Sequence, residues 1–219
     1  MPRLLFEKTG NAVWMSHLDL MRLMQRAFKR AELNLKHTQG FNPRPSVSIA
    51  LPMSVGLESV CELLDFDLEG QTVSCDEIRD RLNKALVDGV VVHDVYDDGA
   101  KIKCLAFLDC VLTLEYDCGV PQGASERIRS LFSDGQVVVE KRGKNGPVEQ
   151  DIAPMIRKFC VEETDGAALT IRARICCQNP TLNPMLIPAA IERYLPEYKP
   201  SFVRCCRQEI YNTEEKIFR

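Results

Sequence analysis

The chain has 219 residues, of which 45% are hydrophobic and 27% charged, and its formal net charge is -3. Such a mix belongs to a globular protein able to bury a core without staples, and excludes a disordered tail. No apolar run nears the ~20 residues of a membrane span, and the start MPRLLFEKTG meets Glu7 and Lys8 at once, unlike a secretion signal; the expected location is therefore cytoplasmic, with the ten cysteines reduced.

In chain order, RLLFEKTG alternates and ends in a glycine turn, which predicts a strand. Ser16 then caps a helix running to about Glu32, with Asp19 three residues on completing a capping box in which Asp replaces Glu. Leu20, Met21, Met24, Ala27, Phe28 and Ala31 recur at helical spacing and form its core face, while Arg22, Arg26, Lys29 and Arg30 fall mostly opposite. SVSIALP and CELLDFDL predict two strands joined by a turn around Gly56. Ser74 caps a second helix, CDEIRDRLNKAL, closed near Gly89, and VVVHDVYD is a fourth strand. The order β-α-β-β-α-β is the ferredoxin-like pattern of a split βαβ unit.

The second half repeats that order. KCLAFLDCVLTLEYD is a long strand, ASERIRSLF a short helix and QVVVEKRG the next strand. RKFCVEE and ALTIRARICC predict a hairpin, with a further short segment inserted before it. Asn183 opens the helix PMLIPAAIERYL, in which Pro188 is expected to cause a bend, and FVRCCRQEIYN is the last strand. The expected architecture is α+β, two tandem ferredoxin-like domains at 1–98 and 101–219. Because the repeat is of element order and not of residues, the second domain is alternatively a more irregular α+β piece.

Charge is unevenly placed. Residues 1–46 carry eight Lys or Arg against three acids, leaving 20 basic and 28 acidic residues in the remainder. A basic end on an acidic body suits an anionic partner, although a solvated helix face carries the same signature. The cysteines show no CxxC spacing. Cys176-Cys177 and Cys205-Cys206 are adjacent pairs, of which only one member each can face a core from a strand. Reduced core thiols are the expectation, and no metal or cofactor is predicted.

The run from Lys8 to Leu68 contains Ser16-His17-Leu18-Asp19, Arg26, and Gly40-Phe41-Asn42-Pro43 followed by Pro45. It continues with Leu51-Pro52, Gly56, Glu58-Ser59 and a strand bearing Asp65. These pieces resemble the radical-SAM-linked family of conserved hypothetical proteins, a domain of unknown function; the match is dense over 1–68 and looser beyond. The resemblance implies a partner that is a radical SAM protein with a cobalamin-binding domain. It also implies a fold similar to that of CRISPR repeat-processing endoribonucleases. The function it implies is that of a non-catalytic accessory or RNA-binding subunit in tRNA or rRNA modification.

Four constellations are candidates for chemistry. Gly40 permits backbone closed to other residues, and Pro43 and Pro45 stiffen a loop that presents Phe41, Asn42 and Arg44 for stacking, edge reading and phosphate pairing; the alternative is a structural turn with Phe41 tucked under the helix. The row Arg22, Arg26, Lys29, Arg30 suits phosphates or an acidic protein partner, the latter making the chain a pure adaptor. His17 and His37 suit the acid and base of a metal-independent endoribonuclease, though His17 also reads as a helix-start residue bonding the loop. Glu58, Glu62, Asp65 and Asp67 read as strand acids or as ion pairs with the arginine row, and less readily as a Mg²⁺ site.

Overall fold

The computed structural model describes residues 1–70, 72–133, 135–143 and 146–219, with the side chains at 142, 164 and 165 not described. It divides into two compact units, residues 1–104 with 219, and residues 105–218.

In the first unit β1 (Arg3–Lys8), α1 (His17–Arg30), β2 (Val47–Ile49), β3 (Glu58–Phe66), α2 (Cys75–Ala85) and β4 (Val90–Tyr96) follow one another. The strand order is β4-β1-β3-β2, every pair antiparallel. Leu4 and Phe6 of β1, Leu64 and Phe66 of β3, and Val90, Val92 and Val95 of β4 meet Leu20, Met24, Ala27 and Phe28 of α1 and Ile78 and Leu82 of α2 in one core. Phe28 packs on Phe66 with ring centroids 5.0 Å apart.

Both helices start as their capping residues dictate: Ser16 Oγ accepts the Asp19 N–H and Ser74 Oγ accepts the Glu77 N–H. α1 ends without a glycine. Glu32 takes the left-handed conformation (φ 57°), its N–H bonds the Lys29 carbonyl, and the Leu33 N–H reaches back to the Phe28 carbonyl. This folds the chain back and brings Leu33 under the helix. Along β4, which pairs with β1, the Asn83 side chain of α2 bonds both backbone groups of Val92, each at 2.8 Å.

In the second unit β5 (Leu105–Glu115), α3 (Ala124–Ser133), β6 (Val138–Gly143), β7 (Gly146–Asp151), β8 (Ile156–Asp165), β9 (Ala168–Cys176), α4 (Leu186–Tyr194) and β10 (Phe202–Asn212) give the order β10-β5-β9-β8, again antiparallel. QVVVEKRG does not take the second strand position of this sheet. It pairs with β7 as a separate hairpin, and β8 occupies that position instead. The hairpin is held to α4 by Tyr194, whose hydroxyl accepts from the Val138 N–H and donates to its carbonyl.

Pro188 lies in the first turn of α4, where its missing N–H has no intrahelical acceptor, so it is tolerated there. The helix begins later than predicted because Asn183 Oδ1 caps the Met185 N–H in a turn that precedes it. On the sheet, Arg174 of β9 grips Asp109 of β5 through two bonds of 2.7 and 2.9 Å, bonds Glu215 at 2.8 Å and stacks on the Tyr211 ring.

All ten cysteines are free. Cys61, Cys110, Cys176, Cys177 and Cys205 are buried, and burial pushes the Cys177 thiol up to about 12. Both members of the Cys176-Cys177 pair are buried, against the expectation of one. β9 ends at Cys176, and Cys177 continues into an isolated bridge with Thr181, so strand alternation no longer governs it. Cys104, Cys118 and Cys160 are exposed. In the native protein these three react with DTNB, whereas the five buried thiols react only on unfolding.

Burial raises the Asp109 carboxyl pKa, but the Arg174 and Tyr211 hydrogen bonds outweigh it and hold the group below its ordinary value of 3.8. A carboxylate depressed in the folded state stabilises it above the unfolded pKa, and that contribution is lost as pH falls through the folded value. Between pH 5 and pH 3 the urea midpoint of the wild type therefore falls further than that of Asp109→Asn.

Candidate nucleic-acid interface

α1 buries one face, so its opposite face is fixed in direction. Arg22, Arg26 and Lys29 are exposed on it, and with Gln25 they form one wall of a groove of about 550 Å³. Phe28, Leu33 and Leu35 supply apolar surface, and Asn34, His37, Pro45 and Glu69 complete the lining. The Leu35–Leu68 bridge ties the segment after α1 to the end of β3, which sets the depth of the groove.

The charges along α1 are not equivalent. Arg22 pairs with Asp19 at 3.3 Å, both side chains exposed. The Ser16 hydroxyl donates to Asp19 at 2.7 Å, and this bond, with Arg22, holds the Asp19 carboxyl below its usual range. Arg30 is turned away from the groove and donates to the Ala85 carbonyl at the end of α2, at 2.5 Å; its task is to join two helices. Among the described residues Arg26 and Lys29 make no ion pair, and both stand open to an incoming anion.

The GFNPRP loop rises beside the groove. The Lys36 carbonyl accepts the Ser46 N–H, the Thr38 N–H bonds the Arg44 carbonyl, and the Arg44 N–H bonds Thr38 Oγ1. A His37–Pro45 bridge closes the base of the loop. Gly40 sits at φ 134°, where a side chain is strained. Phe41 is not tucked under the helix; it is fully exposed at the loop tip, with Asn42, Pro43 and Arg44 also exposed.

Of the two histidines, His37 lines the groove, while His17 is half-buried in the first turn of α1 and is not part of the lining. His93 lies 3.0 Å from Glu7. Two of the strand acids are engaged away from the arginine row. Asp65 pairs with Arg3 of the adjacent strand at 2.6 Å, and Asp67 accepts from Ser46 Oγ at 3.4 Å. Among the described residues no group of His, Cys, Asp and Glu is arranged to hold a metal ion, and no helix is long and apolar enough to cross a membrane.

Sequence reasoning missed Gln25, Asn34, Glu69 and the apolar lining, because Leu33 and Leu35 reach the groove only through the turn at Glu32. It also passed over Trp14, the single tryptophan, which stands 68% exposed just ahead of α1, with Leu18 exposed in the first turn.

A family profile described as an uncharacterized protein conserved in bacteria, DUF2344, matches residues 2–184. The chain belongs to this family. No curated protein matches this DUF2344 member. Among solved structures it resembles a chain of a Cbf5–Nop10–Gar1 complex, with a TM-score of 0.50 and 11% identity over 95% of this chain and 48% of that one. A chain of an archaeal box H/ACA sRNP Nop10–Cbf5 complex gives 0.46 at 11% identity, over 94% and 46%. The DUF2344 chain thus spans about half the length of these matched chains, and at such identity the likeness to the first is one of fold alone.

The two kinds of arginine separate in stability. Arg30→Ala lowers the urea midpoint by removing the α1–α2 tie, whereas Arg26→Ala stays within about 0.5 kcal/mol of wild type.

Proposed function

We propose that this protein is a non-catalytic RNA-binding subunit that works beside a cobalamin-binding radical SAM enzyme in the modification of tRNA or rRNA, in the cytoplasm. The observation that carries the RNA reading is the groove wall: Arg26 and Lys29 are held outward by a helix whose other face is buried, next to apolar surface and a rigid loop bearing Arg44. Phosphates fit the outward charges, and the apolar lining accepts the flat face of a base. The partner rests on the family resemblance of the SHLD and GFNPRP segments. We read each unit as ferredoxin-like: the first has a sheet order of β4-β1-β3-β2, and the second repeats it once the β6–β7 hairpin is set aside as an insertion.

The groove lining also favours this reading over the alternatives. A two-histidine endoribonuclease needs His17 and His37 at one phosphate, and only His37 lines the groove. Cleavage of RNA in EDTA that is abolished by His17→Ala would nevertheless establish it. Retention of the radical SAM enzyme without any RNA affinity would make the chain an adaptor.

The test is RNA affinity in rising salt. Arg26→Glu and Lys29→Glu each weaken binding and lower the slope of log K against log salt by about 0.7 to 0.9 per lost phosphate contact. Arg30→Gln leaves the slope unchanged. Equal affinity and slope for all three variants and the wild type would refute the RNA reading.

A further inference from the structure

The exposed face of α1 continues beyond the groove. Leu18, Arg22, Gln25 and Lys29 follow one another at i, i+4, i+7 and i+11, which places them on a single stripe. At 1.5 Å per residue this stripe is about 17 Å long. Arg22, Gln25 and Lys29 line the groove, whose lining also includes His37 and Pro45 at the base of the loop that carries Phe41; Leu18 and, just ahead of α1, Trp14 are both exposed. Cationic and amide side chains thus share a surface with two exposed aromatic residues, one just ahead of the helix and one on the loop whose base lines the groove.

Trp14 is held on a stiff support. It ends a short 3₁₀ turn, Gly10–Trp14, whose Val13 carbonyl accepts two bonds, one from the buried Lys8 ammonium at 3.1 Å and one from the Gly56 N–H at 2.9 Å. The Trp14 ring lies beside Gly56, where an added Cβ would be 3.7 Å away. At the foot of the turn, Gly89 (φ 82°) bonds the Thr9 N–H through its carbonyl, and any Cβ there would meet the Thr9 carbonyl oxygen at 2.3 Å. The backbone that carries this exposed aromatic ring is therefore tightly held. An exposed ring with two χ angles on rigid backbone loses little entropy when a flat partner covers it.

From this arrangement we infer that the RNA taken by this surface is single-stranded, its phosphates tracking Arg22, Arg26 and Lys29 and its unpaired bases stacking on Trp14 and Phe41. This rests on the reading of the groove as an RNA site. In a duplex the bases are already stacked on one another and offer no face to either ring, so a paired RNA makes the phosphate contacts alone. Only unpaired bases use both the charges and the rings, and a concave groove beside the helix admits one extruded nucleotide more readily than a paired backbone.

Trp14, as the sole tryptophan, reports on its own contact. A short oligouridine titrated into the full chain should quench its fluorescence and bind at least ten-fold more tightly than a blunt duplex of the same length. Trp14→Leu and Phe41→Leu should each weaken the single strand about ten-fold while leaving duplex binding unchanged, and Trp14→Phe should restore affinity. Circular dichroism checks that Trp14→Leu is folded, and Phe41→Leu, at an exposed loop tip, carries the test if it is not. Equal affinity for strand and duplex, or unchanged affinity in the two leucine variants, overturns the single-strand inference. In that case a loss of binding in Arg26→Glu still upholds the groove as an RNA site. If neither RNA binds, both readings fall.

Discussion

The contact on which the rest depends is that of α1 with β1 and β3. Leu20, Met24, Ala27 and Phe28 disappear between the helix and the strands, each large side chain contributing about 1.5–3 kcal/mol on burial. That commitment fixes the rotation of the helix about its axis. Once Phe28 lies against Phe66, Arg22, Arg26 and Lys29 have no choice of direction, and the charges at the basic end become a surface with a shape. The turn at Glu32 then brings Leu33 and Leu35 beneath those charges. A wall and a floor of opposite character arise from consecutive residues of one chain.

Charge and backbone divide the labour around this surface. Arg30, Arg3 and Arg174 are engaged by the protein itself, at a helix end, a strand pair and a sheet face respectively, the first at the surface and the other two buried. Of the cations on α1, Arg22, Arg26 and Lys29 line the groove together, on one side of the helix. The loop beside them is stiffened by prolines and by its own hydrogen bonds, so its backbone has little conformational freedom left to lose.

The elements of the first unit were legible in the sequence because each is announced by a local rule: alternation in β1, Ser16 and Ser74 as caps, apolar spacing in α1. The basic wall was legible for the same reason. What was not legible depended on distant pairing. QVVVEKRG has the pattern of a sheet strand, and nothing in those eight residues says that its partner will be β7 in a separate hairpin. Arg30 carries the same charge and nearly the same helical phase as Arg26, yet Ala85, far along the chain, removes it from the site. Phe41 was undecided between core and solvent because a single aromatic in a glycine–proline loop has no periodicity to place it. Trp14 looked like one more apolar residue before a helix; its exposure follows from the way Lys8, Gly56 and Gly89 hold the turn beneath it.

The amide of Asn83 has a consequence for how this unit can associate. By bonding both backbone groups of Val92 it imitates a neighbouring strand at the outer margin of β4. A peptide seeking to extend the sheet, or a second copy seeking to aggregate through it, finds the donor and acceptor there already occupied. Main-chain recognition, which is indifferent to sequence and hard to reverse, is thereby discouraged at that margin. Any contact made at this point of the margin must therefore run through side chains, and such contacts weaken with salt and change with a single substitution.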